Sequence, residues 1–131
     1  MQNNTITVTG VDVGGVPTDQ DFLRSKSLEN RSVFTGPAST LANRDDLTLS
    51  RRYNVRNGNS QGVAEARAKF ATDTSVPGVE TTTSVEHLAS VEVIVRIPVG
   101  MSDNAIEELV SRATIFMGST EGLSLIKDLS I

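Results

Sequence analysis

Between Leu47 and Lys69 the chain carries five basic residues, Arg51, Arg52, Arg56, Arg67 and Lys69, against one acid, Glu65, inside a protein of net charge −4. The stretch LTLSRRYNVRN (47–57) alternates with period two. Thr48, Ser50, Arg52, Asn54 and Arg56 share one strand face, and Leu47, Leu49, Tyr53 and Val55 share the other, interrupted by Arg51. Asn57-Gly58-Asn59-Ser60 is a hairpin turn signal, because Asn and Gly tolerate positive φ. The returning strand, Val63 to Ala71, puts Glu65, Arg67 and Lys69 on one side and Ala64, Ala66, Ala68 and Phe70 on the other. Arg and Lys interleaved with Thr, Ser and Asn on one sheet face can meet phosphates and base edges. The plain alternative is a solvated strand face, and on charge alone the two readings stand level.

Other reactive constellations are weak. His87 is the single histidine, and no Ser/His/Asp set forms around it. Asp45-Asp46 and Glu107-Glu108 are sequence neighbours, which point to different sides of a strand or helix and do not suit paired acid–base work. Asp45-Asp46 reads as a loop solubiliser. Asn3-Asn4-Thr5 and Asn30-Arg31-Ser32 match the glycosylation pattern only by chance if no secretion signal is present. No P-loop or dinucleotide fingerprint occurs. Neither catalysis nor a cofactor is expected, and without cysteine there is neither a disulfide nor a thiolate metal site.

At 131 residues the chain reads as a single domain. Aromatics are only 4%, so the core must come from Val, Leu, Ile and Ala. Such a chain buries only about two-thirds of its unfolded surface, and oligomerisation is expected to add the rest. No apolar run approaches the roughly 20 residues of a membrane span. MQNNTITVTG lacks a basic start and an apolar centre, so no secretion signal is expected.

These residues need a scaffold, and the last third of the chain defines it. In VEHLASVEVIVRIPVG, Ala89, Val91, Val93, Val95 and Ile97 line one strand face, with Leu88, Ser90, Glu92, Ile94 and Arg96 on the other. After Pro98-Val99-Gly100 the period changes: Ala105, Ile106, Leu109, Val110, Ala113, Phe116 and Met117 form a helical stripe. Ser102 or Asp103 is the expected N-cap, Gly118 the expected C′ residue, and a shorter helix is expected over about 119–129. Upstream, residues 4–9 and Phe22–Leu28 read as strands joined through Asp12-Val13-Gly14-Gly15, and a short strand surrounds Val33 and Phe34. Residues 72–84, with Pro77-Gly78, read as a long exposed loop. The whole is an α+β layer fold: an N-terminal hairpin (1–29), a main antiparallel sheet (30–101) and two C-terminal helices (102–131) on one sheet face.

This order of elements, with LTLSRR (47–52), VEVIVRIP (91–98), SDNAIEELVSRA (102–113) and the connector NRSVFTGPASTLANRDD (30–46), resembles the coat proteins of single-stranded RNA bacteriophages, the levivirus type. The resemblance covers most of the chain and rests on the arrangement rather than on one motif. It implies a homodimer whose sheets join edge to edge, with each chain's helices crossing onto its partner. It implies an icosahedral shell around single-stranded RNA, assembled in the bacterial host cytoplasm, with no membrane partner. It further implies that the dimer binds an RNA hairpin and represses replicase translation. In the same terms, Thr48 and Ser50 stand where the family places small hydroxyls for unstacked adenines. Arg52 and Asn54 continue that face, Arg67 is a basic base-pocket residue, Lys69 is a phosphate contact, and Ser90 and Glu92 face the RNA. Ser90 stands where some members carry a stacking aromatic. The alternative function is a small dimeric RNA-binding regulator that builds no shell.

Overall fold

Strands β1 (Thr5–Val13) and β2 (Val16–Leu28) are joined by Gly14 and Gly15, whose φ angles are 60° and 87°. Positive φ at both positions of a two-residue turn matches the right-handed twist of a hairpin, and glycine adopts it without a Cβ penalty. The Asp12 carboxylate accepts from the Gly15 N–H at 2.7 Å and locks the turn. Register runs from Thr5 opposite Leu23 to Val13 opposite Val16, with a shift between Val8 and Val11. Gly10, at φ 72°, lies inside that shift, and its N–H donates to the Asp19 carboxylate at 2.9 Å. A bulge of this kind adds twist near a sheet edge.

The chain continues through β3 (Arg31–Thr35), β4 (Asp45–Tyr53), β5 (Val63–Pro77) and β6 (Ser84–Pro98), then α1 (Asp103–Gly118) and α2 (Thr120–Asp128). The six strands form one sheet in chain order, so every strand lies beside its sequence neighbours. This is the expected α+β architecture, an antiparallel sheet followed by two helices. The computed structural model describes residues 4–53, 58–59, 61–80 and 82–128. The chain divides into two compact units, Met1–Arg52 with Glu65–Ile94, and Tyr53–Ala64 with Val95–Ile131.

In the first unit, register assembles the core. Ile6 lies opposite Phe22, and Phe34 lies opposite Leu47. Directly opposed residues project to the same side, so Phe22, Phe34 and Leu47 form a buried cluster on which Ile6, Val8, Leu49 and Ala68 pack. Phe70 meets Phe22 edge to face, with centroids 5.6 Å apart and rings at 74°. Three of the four phenylalanines thus meet here, and phenylalanine anchors a core that composition assigned to aliphatics alone.

The segment before β4 is tightly held. The Asp45 carbonyl accepts from Gly36 N–H at 2.8 Å, and its carboxylate accepts from Ala38 N–H at 3.0 Å. The Arg44 main chain makes two bonds with Asp73: its N–H donates to the Asp73 carboxylate at 2.7 Å, and its carbonyl accepts from Asp73 N–H at 2.9 Å. The Arg44 Nε pairs with Asp46 at 2.5 Å, which raises the Arg44 pKa above its ordinary value. Asp45 and Asp46 are therefore half-buried strand residues with structural partners, not the solvated loop pair that sequence suggested.

β5 also runs further than expected, to Pro77. The exposed loop placed at 72–84 shrinks to the connection 78–83, closed by Gly78 N–H to Thr83 carbonyl at 2.8 Å and Thr83 N–H to Glu80 carbonyl at 3.0 Å. Thr72, Thr74 and Val76 carry the strand onward, since β-branched residues fit a pleated surface without needing burial.

In the second unit, Ser102 caps α1: its Oγ accepts from Ala105 N–H at 3.4 Å and its carbonyl from Ile106 N–H at 3.1 Å. Gly118 is the last helical residue rather than the C′ position. Ser119, extended at φ −76° and ψ 166°, ends α1 through its N–H to the Phe116 carbonyl at 3.0 Å. The same serine starts α2, its Oγ accepting from Gly122 N–H at 3.2 Å and its carbonyl from Leu123 N–H at 3.0 Å. One residue thus serves both helix ends, which leaves no place for a left-handed glycine. No residue of α1 is buried; Leu109, Val110, Phe116 and Met117 remain substantially exposed.

Candidate nucleic-acid interface

The sheet face opposite the Phe22–Phe34–Leu47 cluster is polar. Register sets Thr35 opposite Asp46, Val33 opposite Thr48 and Arg31 opposite Ser50, all one position out of phase with Phe34 and Leu47. Alternation along β5 places Glu65, Arg67 and Lys69 out of phase with Ala68, which packs on the core. The expected division of β4 and β5 into an apolar and a basic-polar side therefore holds where the core contacts fix it.

Arg67 is the hub of this face. Its Nε donates to Glu65 at 2.5 Å, and its Nη1 to Glu92 at 3.4 Å, which ties β5 to β6. Glu65 is only 8% exposed, whereas the Arg67 and Glu92 side chains are each 40% exposed. The Glu65 hydrogen bond, then its charge, raises the Arg67 pKa beyond its ordinary value, so the guanidinium stays cationic wherever the protein is folded. Two carboxylates fix its plane and offset its charge.

Ser50, Arg51, Arg52, Glu65 and Arg67 line a cavity of about 360 Å³. Arg51, which alternation sets on the apolar side, nonetheless borders it. Of the residues expected to contact RNA, the structure brings Ser50, Arg52 and Arg67 together there, and Glu92 joins through Arg67. Thr48 and Lys69 share the face by alternation but are not among the residues that line this cavity. Ser90 borders a different cavity, of about 280 Å³, beside Phe22, Phe70 and Val91. Asn54 lies outside the described residues. Glu65 was not foreseen as a site residue; its i,i+2 spacing from Arg67 was the available signal, because such residues share a strand face.

Among the described residues, no group of three or more His, Cys, Asp or Glu could hold a metal ion. No described helix is long and apolar enough to cross a membrane.

No family model and no curated protein matches the sequence. Solved structures do match. A chain from the virus-like particle of bacteriophage AVE019 superposes with TM-score 0.76 at 16% identity, over 97% of this chain and 95% of that one. The virus-like particle of Beihai levi-like virus 21 gives 0.73 at 14%, over 100% and 98%. That of bacteriophage ESE058 gives 0.72 at 9%, over 98% and 97%. The chain has the fold of proteins found in virus-like particles. More narrowly, it is the fold of levi-like virus and bacteriophage particles, so the resemblance read from residues 30–52 and 91–113 holds at the level of fold.

Proposed function

We propose that this chain is a capsid subunit that pairs with a second copy and assembles into an icosahedral shell around single-stranded RNA. The observation that carries the proposal is the fold shared, over nearly the full length of both partners, with chains of levi-like virus-like particles. Three features support it. Helix α1 has an apolar stripe and no buried residue, which suits a helix completed by another chain. β6 is a long terminal strand of the sheet with Val91 and Val93 more than half exposed, an edge that a second copy would cover. The polar face gathers Ser50, Arg52 and Arg67 around a cavity that Arg51 also borders, where a polynucleotide could lie. In this reading the protein resides in the virion, forms in the host cytoplasm, and as a dimer also holds an RNA hairpin that represses replicase translation. It has no catalytic role.

The test is expression of the chain alone, followed by gel filtration, electron microscopy and extraction of nuclease-protected nucleic acid. Uniform particles containing RNA are expected. A sample that remains monomeric or dimeric at all salt concentrations refutes the shell. If that small species still binds RNA, the chain is the regulator instead. Deletion of the connection 78–83 separates the two further: it should stop shell formation while the dimer keeps its RNA affinity.

A further inference from the structure

We infer that the Arg67–Glu92 pair reads an unpaired guanine, an inference that rests on the RNA-binding reading above. The geometry is a donor beside an acceptor. The Arg67 guanidinium is held through Nε by a nearly buried Glu65 and through Nη1 by Glu92, 3.4 Å away. Among the described residues, the Arg67 Nη2 group and the second Glu92 oxygen have no hydrogen-bond partner. Both side chains are 40% exposed, so a base can reach them.

A guanidinium carries five N–H donors in a rigid fork, and a carboxylate accepts through two oxygens. Every base offers some adjacent donor and acceptor, so a single donor–acceptor pair discriminates little. Guanine alone offers two consecutive donors, N1–H and the N2 amino group, next to the O6 acceptor. The two donors span the Glu92 carboxylate while O6 accepts from Arg67. Adenine and cytosine offer one donor to the carboxylate and would leave its second oxygen facing an acceptor or a C–H. Single-stranded bases are read on these edges because they are not occupied by pairing.

Glu65 makes the arrangement possible. Without it, Arg67 would be a mobile cation free to seek phosphate. With it, the fork is fixed and its charge offset, which favours an uncharged base edge over the backbone. The cavity of about 360 Å³ beside Arg67 gives the base room, with Arg51 and Arg52 on its lining for the attached phosphates.

The test uses the purified full chain and fluorescent short oligouridines that differ at one central nucleotide: guanosine, inosine, adenosine or cytidine. The expected result is about tenfold tighter binding of the guanosine probe than of the adenosine or cytidine probe, the scale of one good bidentate contact. Inosine, which lacks the N2 amino group, should fall between them. Glu92→Gln should bring the guanosine and adenosine probes to equal affinity. Equal wild-type affinity for all probes overturns the guanine assignment and leaves RNA binding intact. A guanosine preference that survives Glu92→Gln assigns it to other residues and also overturns it. Failure of every probe to bind removes the RNA-binding reading and this inference with it.

Discussion

Lys69 and Arg67 share one strand face, yet they should respond differently to salt. Binding that neutralises phosphates releases counterions, and for single strands each neutralised phosphate adds about 0.7 to the slope of log K against log salt. If Lys69 neutralises one phosphate, as the RNA-binding reading expects, Lys69→Ala should lower the slope by about 0.7, so a fourfold rise in salt should weaken the variant about 2.6-fold less than the wild type. Arg67 is already offset by Glu65 and Glu92. It has little counterion atmosphere to lose, so Arg67→Ala should leave the slope near the wild-type value. It should nevertheless weaken binding more than Lys69→Ala at every salt concentration, because it removes the fixed guanidinium donors that would meet a base edge. The assay is a salt titration of oligonucleotide affinity for the three proteins, with circular dichroism to confirm that each is folded. Equal loss of slope in both variants would show that Arg67 contacts phosphate, and the reasoning from its ion pairs would fail.

Four further outcomes follow from the packing. Phe34 is 1% exposed at the centre of the core, so Phe34→Ala should cost about 3–5 kcal/mol in urea unfolding, a large share of the roughly 5–15 kcal/mol that holds a domain. A Cβ on Gly122 would lie 2.9 Å from the Phe116 carbonyl carbon and 3.0 Å from the Met117 Cα; Gly122→Ala should therefore open the α1–α2 junction and cost about 1–3 kcal/mol, seen as a lower Tm and reduced helix signal. The Ser102 cap bond is long at 3.4 Å, so Ser102→Ala should lose only about 0.5 kcal/mol, the low end for N-caps, and Ser102→Asp should restore it. Val93, 51% exposed in the single chain, belongs to the surface a partner would cover; Val93→Asp should leave gel filtration showing small species where the wild type gives particles.

The end of the chain was the easiest part to read, because its hydrophobic period changes from two to 3.6 across Pro98-Val99-Gly100. The start of α1 followed directly, with the N-cap narrowed to Ser102 or Asp103, and the structure places it at Ser102. The extension of β5 was not readable: TDTSVP has no apolar alternation, and its strand conformation comes from pairing with neighbours rather than from its own pattern. Gly118 misled because glycine after a helix usually marks a left-handed end, while here Ser119 supplies the hydrogen bonds. Of the site, the common face of Thr48, Ser50, Arg67 and Lys69 was accessible from alternation alone. The Glu65–Arg67–Glu92 linkage was not, since Arg67 and Glu92 are 25 positions apart and only the β5–β6 register brings them together. The separation of Ser90 from the Arg67 cavity needed that register too.

The exposure along α1 has a thermodynamic consequence. If a second copy of the chain covers these apolar residues, as proposed, the stability of this protein should scale with its concentration. Dilution would then act as a denaturant, and newly made chains below the association threshold would meet cellular proteases before they meet each other.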